Sequence, residues 1–197
     1  EYAAKNEGLR FVYIAEANSR VIALETGEVD VVLQVPSTAV SNLENNPDIK
    51  VLRYDSTDLH YITPNCSKPP FDNELLRQAV AHCIDRDAII QVQCNGNAKP
   101  NYATIGLAAI GYSDPAVKYE YSIEKAKEKL VEAGYPDGFE FTLSVLGENN
   151  RRAAEVFQAS CAQAGITVNI EILENSAMVA KCGGAEHDAG LGWWVAN

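Results

Sequence analysis

Basic residues are scarce in this sequence: 16 lysines and arginines stand against 27 aspartates and glutamates, which gives the 197-residue chain a formal net charge of −11. A chain with this charge is a poor electrostatic match for phosphate backbones and for anionic lipid. Long apolar runs are also lacking. The uncharged stretch 101–113 is interrupted by polar residues and falls short of the roughly 20 apolar residues that a membrane helix requires. We therefore predict neither a nucleic-acid partner nor a membrane span.

Catalytic motifs are absent as well. The sequence contains no G-x-S-x-G elbow, no glycine-rich phosphate loop, no H-E-x-x-H and no C-x-x-C. Its three histidines, His60, His82 and His187, are scattered. His82 and Cys83 are neighbours on a predicted helix and point about 100° apart, so they do not form a nucleophile–base pair. Cys182 and His187 make at most half of a metal site. We predict that the chain is not an enzyme and holds no metal ion or cofactor.

The five cysteines are an odd number, so at least one thiol has no partner within the chain. Cys83 and Cys161 fall on apolar helical stripes, and we expect both to be core thiols. Cys66, Cys94 and Cys182 lie at the ends of predicted elements and are free to pair. The spacing leaves the pairing open.

Periods of 2 and 3.6 residues alternate along the chain, which predicts strands alternating with helices. Helix starts are predicted at Asp72, Asp85, Ser122 and at Asn149 or Asn150, each with a side chain suited to an N-cap. The segment 98–118 has no period and is expected to be irregular. The pattern predicts an α/β fold with helices packed on a mixed sheet and no linker that would divide the chain. The predicted strands are Leu9–Ile14, Asp30–Val35, Ile49–Tyr54, Leu59–Thr63, Phe139–Leu146, 166–172 and Asp188–Trp194.

The most specific segment is Lys68–Ile90, KPPFDNELLRQAVAHCIDRDAII. It resembles the signature region of the family 5 extracellular solute-binding proteins, the binding components of ABC importers for dipeptides, oligopeptides and nickel. The family pattern is an Asn, a short loop, Pro-Pro-Phe-Asp, and an Arg-Gln-Ala helix ending in Ile-Asp-Arg. The matching residues that we expect to have structural roles are Asn65, Pro70, Phe71, Asp72, Arg77, Ala79, Asp85 and Arg86.

Four further segments resemble the same family in the same order. ALETGEVDV at 23–31 is similar to its Leu-x-x-Gly-Glu-x-Asp turn. YSIEKAKEKLVEAGYPDG at 121–138 is similar to its Ala-Lys-x-x-Leu-x-x-Ala-Gly-Tyr segment, and 164–168 to its Gly-Ile-x-Val strand entry. The ending Gly192-Trp193-Trp194 is similar to a Gly-Trp near the ligand cleft. Together these motifs cover most of the chain.

The resemblance implies a two-lobed, periplasmic-binding-protein-like fold of type II. Residues 1–197 resemble the second lobe only, as a single α/β lobe. The first lobe and the return segment after Asn197 are expected to lie outside the chain. The first residue is Glu and the only methionine is Met178, which fits a processed or excised piece.

The implied function is the substrate-binding component of an ABC importer. It would capture a peptide or similar small solute between two lobes and deliver it to the permease subunits in the membrane. The implied location is extracytoplasmic, in the periplasm or at the cell surface as a lipoprotein, with membrane attachment only through an anchor outside this chain. Two other functions stay open: a solute receptor for sensing, and a hydrolase with a Cys–His pair.

Six residues are the candidates for the ligand cleft: Trp193, Trp194, Asn197, Glu148, Asn149 and Arg151. Neighbours on a strand face opposite sides, so we expect one of the two tryptophans in the core and the other in the cleft or at the surface. Peptide-binding members carry an Asp three positions after Gly-Trp for the ligand's amino group, and here that position is Ala196. Arg151 or Arg152 either meets a ligand carboxylate or is solvated. The solute therefore stays open, with a free dipeptide in doubt.

Overall fold

The computed structural model describes residues 5–195. The chain divides into two compact units, Glu1–Arg53 and Tyr54–Asn197, and each is described by itself. The organisation of 1–197 as a single lobe stays a prediction.

The first unit contains two short helices, α1 (Ala17–Glu25) and α2 (Val40–Glu44). Helix α1 begins where the carboxylate of Glu16 accepts a hydrogen bond from the backbone N–H of Ser19, at 3.0 Å. It ends before Gly27, whose positive φ of 74° suits a glycine at a helix stop. Val21 and Ala23 are its buried residues.

Three predicted strands do not form. Leu9–Ile14, Asp30–Val35 and Ile49–Tyr54 are irregular, and none of their apolar side chains is buried, with Phe11 85% and Val31 75% exposed. A strand requires a hydrogen-bonded neighbour, and no strand pairing involves these runs in the described part of the chain. The apolar pattern indicates which side chains tend to be buried, but it does not supply the neighbouring strand that hydrogen bonding requires.

The second unit is built on a four-stranded mixed sheet. Its strands are β1 (Asp58–Pro64), β2 (Glu140–Leu146), β3 (Thr167–Leu173) and β4 (Ala189–Val195), in the order β1-β4-β2-β3. β2 runs parallel to both β3 and β4, and β1 runs antiparallel to β4. The mixed sheet and the last four predicted strands are therefore confirmed.

Five helices belong to this unit: α3 (Glu74–His82), α4 (Arg86–Cys94), α5 (Ile123–Glu132), α6 (Arg151–Ala164) and α7 (Asn175–Gly183). The predicted caps Asp85 and Ser122 are confirmed, because each side chain accepts a hydrogen bond from a first-turn backbone N–H. The cap predicted at Asp72 is wrong. Asn73 takes that place, and its side chain accepts from the N–H of Leu75 at 2.9 Å. Before α6, Glu148–Asn150 forms a single 3₁₀ turn, and Asn150 makes no side-chain cap.

One face of the sheet, here called the helix face, carries the core. Leu143 and Leu191 lie on it and belong to one buried cluster with Leu76, Leu130 and Phe157 from α3, α5 and α6. Burying a side chain of this size stabilises the fold by roughly 1.5–3 kcal/mol. The apolar stripes predicted from the sequence point into this cluster.

The opposite face of the sheet is called the α7 face. Gly190 lies on it, and a Cβ there would stand 2.9 Å from Cε of Met178 on α7. The missing side chain of Gly190 therefore leaves room for α7 to lie against the sheet. Within residues 5–195, no helix combines the length and apolar character needed to cross a membrane.

Candidate functional site

Asn65 holds the loop that follows β1. Its amide nitrogen donates to the carbonyls of Ala185 at 2.8 Å and His187 at 3.0 Å, and its oxygen accepts from the hydroxyl and the N–H of Ser67. The side chain is buried, so these bonds satisfy polar groups that have little access to water. The contacts tie the end of β1 to the approach of β4.

The next residues set the start of α3. The Pro69–Pro70 bond is cis, and Phe71 lies in the core with its ring edge against Phe141, at 4.9 Å between centroids. Arg77 donates to the carbonyls of Phe71 at 2.7 Å and Asp72 at 3.2 Å. Ala79 on the same helix is fully buried. These signature residues therefore stabilise the fold itself, with Phe71 and Ala79 in its core.

Arg86 holds the irregular segment 98–118 at its two ends. Its guanidinium donates to the carbonyls of Asn101 at 3.0 Å and Tyr119 at 3.1 Å, and it stacks 4.1 Å from the centre of the Tyr102 ring. Partial burial lowers the pKa of Arg86. The Arg of the Ile-Asp-Arg motif therefore anchors a loop.

The described candidates for the ligand cleft lie where β2, β3 and β4 end. The N–H of Gly147, just after β2, donates to the carbonyl of Leu173 at the end of β3, at 2.9 Å. The 3₁₀ turn Glu148–Asn150 begins at the same point. In open α/β sheets, ligands bind outside the carboxyl ends of the parallel strands. This edge, with Trp193, Trp194, His60 and the 3₁₀ turn, is called the strand-end cluster.

The two tryptophans lie on opposite faces of β4, as alternation requires, but neither is in the core. Trp193 is 49% exposed and Trp194 is 68% exposed. The expectation of one core tryptophan is therefore wrong. Among the described residues, β4 pairs with β2 only as far as Leu191, and beyond that point only β1 runs beside it. Both indole rings consequently project past the packed part of the sheet.

His60 lies opposite Trp193 in the β1–β4 ladder, so the two side chains share the helix face. Asn150 of the 3₁₀ turn is held by its amide nitrogen, which donates to the carbonyl of Leu146 at 2.6 Å. Although part of the His60 residue is exposed, desolvation of its ring lowers its pKa, against the opposing effects of Asp58 and Asn150. The sequence analysis did not place His60 here, because only the register of β1 against β4 brings it beside Trp193.

Glu148 and Arg151 pair with each other. Two hydrogen bonds of 2.6 and 2.8 Å join the guanidinium to the carboxylate, and the pair lowers the pKa of Glu148 and raises that of Arg151. The carbonyl of Asn149 accepts a hydrogen bond from Gln93 on α4. Arg151 is thus neither unpaired nor simply solvated. A ligand carboxylate would have to compete with Glu148 for its guanidinium.

Trp194 shares the α7 face with Tyr61, which lies opposite Gly192 in the ladder. A Cβ on Gly192 would come 4.0 Å from the Tyr61 hydroxyl. The Tyr61 side chain therefore lies close to Gly192, the residue before the two tryptophans. Asn197 and Ala196, also named in the sequence analysis, lie outside the described residues. Residues 5–195 contain no group of three or more potential metal-ligating side chains.

Comparison with known proteins gives concordant results. The family model "Bacterial extracellular solute-binding proteins, family 5 Middle" matches residues 2–197. Heme-binding protein A of Haemophilus influenzae is 29% identical over 92% of this chain and 34% of its own length. Glutathione-binding protein GsiB of Escherichia coli is 32% identical over 87% of this chain and 34% of its own length. The chain thus spans about a third of the length of these curated relatives.

Among solved structures, the periplasmic binding protein DppA from Helicobacter pylori, associated with an ABC transporter and in complex with the peptide STSA, is similar to this chain. It superposes with a TM-score of 0.79 at 34% identity, over 93% of this chain and 36% of its own. The fold class is therefore that of the periplasmic binding proteins. Because the family model covers almost the whole sequence, this chain belongs to family 5 of the bacterial extracellular solute-binding proteins.

Proposed function

We propose that this chain forms part of the substrate-binding component of an ABC importer. It would capture a peptide or a similar small solute in a cleft between two lobes and pass it to the permease. The family match over residues 2–197 carries the proposal. The relatives named above bind haem, glutathione or a peptide. We place the protein outside the cytoplasm, attached to the membrane through an anchor elsewhere in its parent.

The strand-end cluster supports a ligand-contacting role for this part of the protein. Aromatic side chains with one exposed face offer large contact area at little loss of conformational freedom, and such residues carry a disproportionate share of binding energy. Trp193 and Trp194 offer one exposed ring on each side of β4, and Tyr61 stands beside Gly192. Cleft closure over these rings would bury a solute against the sheet edge.

The charges of the cluster bear on the kind of solute. Arg151 is bound to Glu148, and Ala196 stands where peptide-binding members carry an Asp. On this side of the cleft, a ligand held mainly by its terminal charges would therefore meet neither an unpaired Arg151 for its carboxylate nor an Asp at position 196 for its amino group. We favour a solute whose uncharged or aromatic parts face the tryptophans.

A ligand screen on the full-length parent tests the function. Calorimetric titration with dipeptides, longer peptides, glutathione, haem, nickel chelates and sugars should reveal one class that binds with micromolar or tighter affinity. For that class, Trp193→Ala or Trp194→Ala should weaken binding about 10-fold or more.

Tyr135→Ala is the matched control. Tyr135 is a partly exposed aromatic residue whose ring packs beside Phe139, just before β2, at the opposite edge of the sheet from the cluster. It should leave affinity unchanged. If no solute binds the parent, the importer function is wrong. If a solute binds but neither tryptophan variant changes its affinity, the strand-end cluster is not part of the site.

A further inference from the structure

The first unit exposes apolar side chains along two extended runs, Leu9–Ile14 and Asp30–Val35, here called the two runs. Exposure alternates in the second run, where Val32 is half-buried between two exposed neighbours. The side chains that point away from the unit are each at least 73% exposed: Leu9, Phe11, Tyr13, Val31 and Leu33. Side chains of this size, exposed at alternate positions of two neighbouring segments, are typical of a surface that binds a partner.

Arg20 of α1 holds the carboxyl ends of the two runs together. Its Nη1 donates to the carbonyls of Ile14 and Ala15, each at 3.0 Å, and its Nη2 donates to the carbonyl of Gln34 at 3.2 Å. Helix α1 lies between the two runs in the sequence. An extended run, a helix and a second extended run whose carboxyl ends meet is the arrangement of a strand–helix–strand unit with parallel strands.

The backbone of this unit lacks the hydrogen bonds that such strands require. In the described part of the chain, residues 9–13 and 30–33 make no backbone–backbone hydrogen bond, either with each other or with another segment. Apolar cover alone would bury these N–H and C=O groups without partners, which costs free energy. The surface therefore fits a partner that supplies backbone hydrogen bonds as well as apolar contacts, and a β-strand supplies both.

The length of the related proteins indicates where that strand comes from. The matched segment is 34% of each of the two curated relatives, so about two thirds of each lies outside it. The family model that matches this chain is itself described as "Middle". A strand of the same polypeptide acts at a high effective concentration, whereas a second copy of the chain would have to offset the cost of association.

We propose that Leu9–Ile14 and Asp30–Val35 are parallel strands of a sheet that is completed by a β-strand from the parent polypeptide, outside residues 1–197. The added strand pairs with the free backbone groups, and the chain around it covers the exposed apolar side chains. Because both faces of the two runs carry apolar residues, the completed sheet is covered on both sides. This interface belongs to the folding of the parent and does not depend on which solute it binds.

Hydrogen exchange tests the pairing, measured by mass spectrometry on the 197-residue chain and on the full-length parent. In the 197-residue chain, the amides of residues 9–13 and 30–33 should exchange at the rate of an unstructured peptide. In the parent they should exchange at least about 100-fold more slowly, because a strand hydrogen bond must open before exchange. Helix α5 (Ile123–Glu132), which makes its own hydrogen bonds, is the internal control and should be protected in both proteins.

Two results would overturn the proposal. One is exchange of the two runs that is as fast in the parent as in the 197-residue chain. The other is protection of the two runs in the 197-residue chain itself. Protection that rises with protein concentration would identify a second copy as the partner, and protection that does not would identify a partner within the chain.

A photo-cross-link identifies the source of the strand. Phe11 is replaced by p-benzoylphenylalanine in the parent, which keeps an aromatic side chain at the most exposed part of the first run. After irradiation and digestion, the peptide containing position 11 should be joined to a peptide from outside residues 1–197. The same replacement in the 197-residue chain is the matched control and should give no cross-linked dimer. A cross-link in the parent that is confined to residues 1–197, or that joins two copies, would overturn the proposal, and if none forms the exchange result decides.

Discussion

Gly138 shows how much a single residue can decide in this fold. Its φ is +84°, and a Cβ placed on it would stand 1.9 Å from the carbonyl oxygen of Gly165. Gly165 ends α6, and Gly138 lies just before β2. The two glycines therefore allow the end of α6 to touch the start of the sheet, where the N–H of Thr167 donates to the carbonyl of Phe139 at 2.9 Å.

We expect Gly138→Ala to lower the free energy of unfolding by about 3 kcal/mol or more, because it combines a left-handed backbone with an overlap against backbone atoms. Gly134→Ala is the control. Gly134 has almost the same φ, +83°, but open space around it, so its loss should be about 1 kcal/mol. Urea unfolding followed by circular dichroism measures both. Equal losses would show that backbone strain alone is at work and that the contact with Gly165 is unimportant.

At the scale of elements, α7 is held on the sheet by an ion pair as well as by Met178. Lys181 of α7 pairs with Glu171 of β3, and the Ser144 hydroxyl donates to the same carboxylate at 3.0 Å. Asp188, just before β4, pairs with Lys68 at 3.0 Å and accepts from the N–H of Thr142. The hydrogen bond from Lys181 lowers the pKa of Glu171. Burial opposes ionisation of Asp188, but the Thr142 N–H and Lys68 outweigh it and lower the pKa.

Both carboxyl groups have a lower pKa in the folded protein than in the unfolded chain, so their contribution to stability is present above the unfolded value of about 4. This contribution is lost as the pH falls through the pKa values that the two groups have in the folded protein. We expect the melting temperature to fall below about pH 4, and Glu171→Gln to flatten part of that fall. Glu28→Gln, an exposed glutamate of the first unit, is the control. Melting curves between about pH 7 and pH 2 measure the effect, and an unchanged acid slope in Glu171→Gln would contradict it.

Another element-scale result concerns the strands that formed and those that did not. Phe139–Leu146 and 166–172 were predicted from alternation, and both became neighbouring parallel strands. Leu9–Ile14 and Asp30–Val35 have comparable apolar content but remain unpaired in the structure. Local sequence reports how a strand would bury its side chains, whereas pairing depends on what the rest of the chain places alongside.

At the scale of the whole molecule, a two-lobed binding protein divides its ligand contacts between the lobes. The chain spans about a third of its curated relatives, and the strand-end cluster is open to solvent. We expect the 197-residue chain alone to bind the parent's solute at least about 100-fold more weakly than the parent does, because cleft closure supplies the missing contacts and excludes water. Calorimetry on both proteins measures the difference. Micromolar or tighter binding by the 197-residue chain would contradict this expectation.

The sequence by itself determined the helices, the mixed sheet of the second unit, the core stripes and the family. These follow from local periodicity, from caps such as Asp85 and Ser122, and from motifs that are short stretches of chain. The buried roles of Phe71 and Ala79 could also be read from their place beside an apolar stripe. Each of these properties depends on residues that are close together along the chain.

Only the tertiary structure decided which distant residues meet. It placed His60 beside Trp193 through the register of β1 against β4, and it left both tryptophans exposed because β4 outruns β2. It also bound Arg151 to Glu148. The reason is physical: hydrophobic burial is not directional, so a pattern tells which side chains seek the core, while strand register and helix packing choose their neighbours.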